Sequence, residues 1–195
     1  MEVIDQLINS DEALFLYLNN LGTEQWDGFW LFVTNKKSWI PLYALLLALL
    51  GFKLANWRKL LLLVVVVALL VLFVDQSTNW FKDGFQRFRP CYTPELDGLM
   101  RLVRSYCGGK HSFFSGHSSN SFAIALFIGL LYNRFGKLLL PFMLIWAGFI
   151  AYSRVYVGVH FPLDIVCGAL WGSMFGYMAY RLFLWGEHRL EKTLL

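Results

Sequence analysis

Three short stretches of this 195-residue chain concentrate its reactive side chains. The first runs Lys82-Asp-Gly-Phe-Gln-Arg-Phe-Arg89-Pro90, and the second is Ser112-Phe-Phe-Ser115-Gly116-His117. The third is Ser153-Arg154-Val-Tyr-Val-Gly-Val-His160-Phe-Pro-Leu-Asp164. Lys82, Arg89 and Arg154 offer fixed positive charge and many N–H donors, and the planar fork of arginine suits phosphate oxygens. Ser115 and Gly116 precede a helix start, where unpaired backbone N–H groups and the helix dipole favour an anion. Glycine there lets backbone approach a ligand closely. His160 stands just before Pro162, a residue tolerated in the first turn of a helix. Asp164 follows four residues on, close enough in sequence to reach the imidazole. A carboxylate holding one ring nitrogen fixes the tautomer and leaves the other free to attack. His117 is then the natural general acid for a leaving oxygen.

Each residue has a plainer reading when taken alone. A lone histidine at a membrane edge is more often a hydrogen-bonded structural residue, and a lone Arg or Lys there usually snorkels to the headgroups. A Ser-Gly-His tripeptide by itself carries almost no signal. Asp164, at the start of an apolar stretch, already leans toward function because burying a charge is costly. Two histidines, three cations, an acid and a glycine turn expected at one membrane face outweigh these readings together.

The elements that must position these residues follow from composition. Hydrophobic residues make up 57% of the chain and aromatic residues 18%, with only 15% charged, against roughly 25% charged in ordinary soluble domains. Lipid is therefore the expected solvent. The expected fold is an all-α integral membrane bundle of about five to six transmembrane helices, with an N-terminal amphipathic helix and an extracytoplasmic active-site loop. Residues 1–195 form a single domain in this reading, with 1–35 interfacial and 36–195 the transmembrane catalytic bundle. The apolar runs predict spans over 39–55, 60–80, 118–133, 138–157 and 162–185. Apolar residues at helical spacing before Leu21 predict an interfacial helix or helix pair, broken around Ser10-Asp11. Acidic residues early in this segment argue against a cleavable signal peptide.

Charge sets the orientation. Lys53, Arg58 and Lys59, then Arg134 and Lys137, then Arg181, Arg189 and Lys192 all fall on one side of a five-span arrangement, predicting that side to be cytoplasmic. The loop from Phe81 to His117 then faces outward, yet it carries Lys82, Arg87, Arg89, Arg101, Arg104 and Lys110. An anionic ligand is the simplest reason for positive charge on that side. The net charge of +4 is modest and contains no long basic tract, which argues against nucleic acid. Of the three cysteines, Cys167 reads as a small buried hydrophobe. Cys91 and Cys107 share the outward loop, where a disulfide and two free thiols both remain open, since proximity is not written in the sequence.

In order and internal spacing, the three stretches resemble the type 2 phosphatidic acid phosphatase superfamily. Its pattern is Lys-six residues-Arg-Pro, then Pro-Ser-Gly-His, then Ser-Arg-five residues-His-three residues-Asp. Lys82 to Pro90, Ser115 to His117, and Ser153 to Asp164 match it, covering the functional core; Phe114 departs from it by standing where the family has proline. The resemblance implies metal-independent hydrolysis of a phosphomonoester or pyrophosphate on a membrane lipid. In it His160 becomes a phosphohistidine, His117 acts as acid and then base, and Lys82, Arg89, Arg154, Ser115 and Gly116 hold the phosphoryl oxygens. No cofactor is expected. The first-choice substrate is undecaprenyl pyrophosphate, with phosphatidic acid, phosphatidylglycerol phosphate and lipid A phosphate close behind. A phosphotransferase using the same intermediate and a non-catalytic anionic-lipid-binding protein are the alternatives. The expected location is a bacterial inner membrane with the site on the periplasmic face; oligomeric state is open.

Overall fold

A computed structural model describes residues 2–104, 106–134 and 136–192. It contains α1 (Glu2–Asn20), α2 (Glu24–Thr34), α3 (Ile40–Leu54), α4 (Trp57–Phe85), α5 (Gly116–Tyr132), α6 (Leu139–Tyr156) and α7 (Pro162–Lys192). Two short 3-10 turns, Pro90–Tyr92 and Pro94–Leu96, punctuate the α4–α5 loop. Among the described residues no strand forms; Phe88 and His111 make an isolated antiparallel bridge.

The expected spans coincide with α3 to α7, but α4 and α7 outrun them. The apolar run of α4 ends near Val74, yet the helix continues to Phe85 and stops at Gln86, whose φ is 49°. A search for apolar runs ends where polarity begins, whereas the hydrogen-bond ladder needs only the absence of a breaker. The extra turns of α7 reach an ion cluster: Lys59 Nζ lies 3.2 Å from Glu187 and 2.6 Å from Glu191, and Arg134 lies 2.8 Å from Glu187.

The segments Lys36–Leu54, Trp57–Phe85 and Leu139–Tyr156 are each long and apolar enough to cross a membrane. Leu45, Phe52, Leu61, Leu69, Phe142 and Ile145 stand exposed on their outer faces, an apolar belt that suits lipid and would be a liability in water. Inside, Leu50, Leu63, Val74, Phe127, Leu131, Met143 and Phe183 are buried in one cluster. The centre of the bundle is α5, whose Ser118, Ser119 and Ser121 are buried. Against it lies a ridge of Gly168, Gly172 and Gly176 on α7. A Cβ at Gly168 would come within 2.8 Å of the Ser115 carbonyl, and one at Gly172 would overlap the backbone of Ser119. Small residues every fourth position let two helix backbones meet, and in lipid close packing drives association.

The expected break at Ser10-Asp11 does not occur: α1 is continuous from Glu2 to Asn20. Ser10 Oγ donates to the Gln6 carbonyl at 2.8 Å, and Asp11 turns inward, accepting from Leu163 N–H at 2.8 Å. The pair looked like a breaker because its interior partner lies some 150 residues away in the chain. Farther along α1, buried Asn19 donates to the carbonyls of Val155 (3.0 Å), Tyr156 (2.9 Å) and Arg101 (3.1 Å). Thus α1 is fastened across the end of the bundle where α6 finishes and α7 begins.

Candidate active site

The C-termini of α4 and α6 and the N-termini of α5 and α7 meet at this end. The turn between α6 and α7 is built by Gly158, whose φ of 82° reverses the chain. Val159 N–H and His160 N–H both donate to the Arg154 carbonyl, at 3.1 and 3.3 Å, closing α6. Pro162 opens α7, and Asp164 in its first turn reaches back to accept Phe161 N–H at 3.0 Å. That is half of a capping box, and it fixes the carboxylate. The same oxygen, Oδ2, lies 3.3 Å from His160 Nδ1, with both side chains buried. With Nδ1 held by the acid, Nε2 is the nitrogen available as a nucleophile.

Asp164 does not act alone. Its Oδ1 accepts from Arg87 Nη1 at 3.3 Å, and Arg87 Nη2 donates to Asp11 Oδ2 at 2.7 Å. The guanidinium also lies 4.1 Å from the centre of the Phe161 ring. A continuous relay thus runs from His160 through Asp164 and Arg87 to Asp11 on α1. In sequence, Arg87 stands only among the loop cations and Asp11 only at the expected helix break. The two-residue spacing from Arg87 to Arg89 was a visible signal; the partnership with Asp11 had none.

Cations surround the imidazole. Burial, followed by the charges of Arg154, Arg89 and Lys82, holds His160 well below its ordinary value, so the ring is neutral at neutral pH. Arg154 is itself buried; its Nη1 donates to Thr34 Oγ1, and its buried Nε has no hydrogen-bond partner among the described residues. An orphaned guanidinium N–H is costly unless an anion completes it. Arg89 is divided between two tasks. Its Nε donates to the His111 carbonyl at 3.2 Å and Nη1 to the Cys107 carbonyl at 3.0 Å, folding the loop over the site, while Nη2 is not drawn into these contacts.

Ser115 caps α5, its Oγ accepting Ser118 N–H at 3.4 Å, and its own N–H donates to the Asp164 carbonyl at 3.1 Å. The anion-favouring start of α5 is thereby locked to the helix that holds the acid. A Cβ at Gly116 would stand 3.9 Å from Lys82 Nζ, which puts the lysine beside that helix start. His117 follows and lines a cavity of about 510 Å³. Phe114, in the proline position of the expected pattern, is buried against Phe81 and Trp171, with ring centres 4.9 and 5.7 Å away. Aromatic packing anchors the turn that a proline would have stiffened. Cys91 and Cys107 are brought together with Cα atoms 6.2 Å apart, within the reach of a disulfide. No group of three or more His, Cys, Asp and Glu is arranged to hold a metal among the described residues.

A family model described as the PAP2 superfamily matches residues 59–187. The chain belongs to the PAP2 superfamily. Among PAP2 relatives, the lipid A 4'-phosphatase of Porphyromonas gingivalis is 33% identical over 190 residues, covering 95% of this chain and 78% of its own length. That of Bacteroides thetaiotaomicron is 35% identical over 181 residues, covering 91% and 79%. The crystal structure of Aquifex aeolicus LpxE aligns with a TM-score of 0.63 at 28% identity, covering 87% of this chain and 93% of that one. The PAP2 assignment carries the enzyme class with it, a lipid phosphatase of the membrane. It spans every one of the three motifs, since Lys82 to Asp164 lies wholly inside the matched residues.

Proposed function

We propose that this lipid phosphatase removes the phosphomonoester of a sugar-based lipid of the lipid A type, at the periplasmic face of a bacterial inner membrane. His160 Nε2 attacks phosphorus, the P–O bond to the lipid breaks, and His117 gives its proton to the departing oxygen. Water then attacks the phosphohistidine while His117 takes a proton back; the P–N bond breaks and inorganic phosphate leaves, with His160 neutral again. Lys82, Arg89, Arg154 and the start of α5 hold the equatorial oxygens as charge shifts. No metal enters these steps.

The observation that carries this reading is the buried His160–Asp164 pair among cations, one of which, Arg154, keeps an N–H with no partner among the described residues. Undecaprenyl pyrophosphate, the first expectation from sequence, yields its place because the two long-coverage relatives above are named for lipid A. Phosphate release from purified protein tests the proposal, using lipid A, undecaprenyl pyrophosphate, phosphatidic acid and phosphatidylglycerol phosphate in the presence of EDTA. Lipid A should be turned over fastest, and His160→Ala should abolish release while the protein stays folded in detergent. Near-normal turnover by that variant would remove the nucleophile, dependence on added divalent metal would remove the mechanism, and preference for another lipid would remove the substrate.

A further inference from the structure

The cavity beside His117 is walled by α3, α4, α5 and α6, with Leu46, Leu50, Leu63, Val67, Ile124 and Ile150 among its apolar lining. Beside the histidine the lining also includes polar residues, Thr34, Lys36, Asp75, Asn120 and Ser121. Asn120 Nδ2 donates both to Asp75 Oδ1 and to the Gly116 carbonyl, each at 3.0 Å. Those two bonds fix the amide and turn its oxygen the other way, and that Oδ1 is buried with no partner among the described residues. Asp75 is one of the few acids in the transmembrane helices and shares a face of α4 with Lys82, about 10 Å along the axis. A Cβ at Gly116 would be 3.9 Å from both Asp75 Oδ1 and Lys82 Nζ, so acid and lysine flank one glycine.

An acid in an apolar span is expensive, and one beside a phosphate site also repels the ligand. A carboxylate and an orphaned amide oxygen accept hydrogen bonds and cannot donate them. A fully ionised phosphate has no hydrogen to give, so beyond the neighbouring lysines Lys36 and Lys82 the donor open to this pair is the body of the lipid. Polyprenyl phosphates and phosphatidic acid carry no O–H or N–H beside the phosphate and phosphatidylglycerol phosphate carries a hydroxyl alone, whereas a phosphorylated, N-acylated sugar carries both. We infer that Asp75 and Asn120 are the specificity determinant of the site: they accept a hydroxyl or amide N–H from an amino-sugar lipid while the apolar cavity takes one of its acyl chains. This rests on the lipid phosphatase reading and narrows its substrate class.

The test compares kcat/KM in mixed micelles for a phosphorylated N-acyl-glucosamine lipid and for phosphatidic acid of matched chain length. Wild-type protein should prefer the sugar lipid. Asp75→Asn, which keeps an oxygen for Asn120, should shift the ratio of the two values toward phosphatidic acid by roughly 10- to 150-fold, the range for a hydrogen bond to a charged group. Asn120→Ala should shift it in the same direction, and thermal unfolding should show both variants folded. An equal loss on both lipids, or an unchanged ratio, overturns the role of the pair and leaves the phosphatase reading standing. Wild-type protein that hydrolyses phosphatidic acid but spares the sugar lipid overturns the inference and the proposed substrate together.

Discussion

An imidazole that is to attack phosphorus, as proposed for His160, must stay unprotonated, and burial together with the charges of Arg154, Arg89 and Lys82 holds this one below its ordinary value. The same arrangement has a consequence for stability. The unfolded chain takes up a proton near the ordinary value of 6.5, while the folded site refuses it until a lower pH. Stability is therefore full above that value and falls as pH drops below it, by at most about 1.4 kcal/mol per pH unit from this one group. Melting temperature measured from pH 8 to pH 5 should decline less steeply in His160→Gln than in the parent; parallel curves would mean that His160 is not the group refusing the proton. Arg87 bears a different load, holding two buried carboxylates, Asp164 and Asp11, with one guanidinium. Arg87→Ala leaves both unpaired and should cost about 3–5 kcal/mol in unfolding free energy. Arg87→Lys cannot fork to both acids, and it should fold but turn over at least tenfold more slowly. Equal kcat for Lys and Arg would confine the residue to a structural role. His117, His160 and Asp164 could be singled out as candidates because three motifs in order were expected at one membrane face, although Ser-Gly-His alone carries almost no signal. Arg87 and Asp11 were not singled out, because their importance lies in a contact between α1 and the α4–α5 loop that no local pattern encodes.

Helices show the same division between what a pattern records and what packing decides. The positions of α3 to α7 follow from apolar runs, since each must meet either lipid or the interior. Their ends do not: polar residues from Asp75 onward extend α4 toward the site, and Glu187 carries α7 into its ion pairs with Lys59 and Arg134. Gly168, Gly172 and Gly176 recur at intervals of four, but they were not singled out from sequence, because their meaning depends on facing α5, which only the fold reveals. Because Ser115 caps α5 and His117 lies on it while α7 carries Asp164, this seam sets the distances among these candidate residues. Gly172→Leu would place a side chain where the Ser119 backbone already stands. Overpacking of this kind costs roughly 1–3 kcal/mol in well-packed cores. The variant should melt lower and lose most of its turnover, and activity close to the parent's would show that the helices separate without disturbing the site.

At the scale of the whole molecule, two charged clusters occupy opposite ends, and the three motifs belong to one of them. Lys59, Arg134 and Glu187 gather at one end of α4 and α7, and the motifs gather at the other. Short basic loops at the first end predict that it faces the cytoplasm, an orientation that would put the α4–α5 loop in the outer compartment despite its own positive charge. An oxidising outer compartment would then let Cys91 and Cys107 join, as their 6.2 Å Cα separation permits. The two expectations can be tried on the same membranes. A fluorescent protein that matures only in the cytoplasm, fused after Leu195, should light up, while alkaline phosphatase at the same point should stay inactive. Non-reducing mass analysis with alkylation should find Cys91 and Cys107 unlabelled until reductant is added. Labelled thiols with a cytoplasmic C-terminus would refute the bridge and keep the orientation. An active alkaline phosphatase fusion would reverse the molecule, turning the site toward the cytoplasm, and the loop cations would then simply obey the rule that they are here inferred to break for the sake of an anionic lipid.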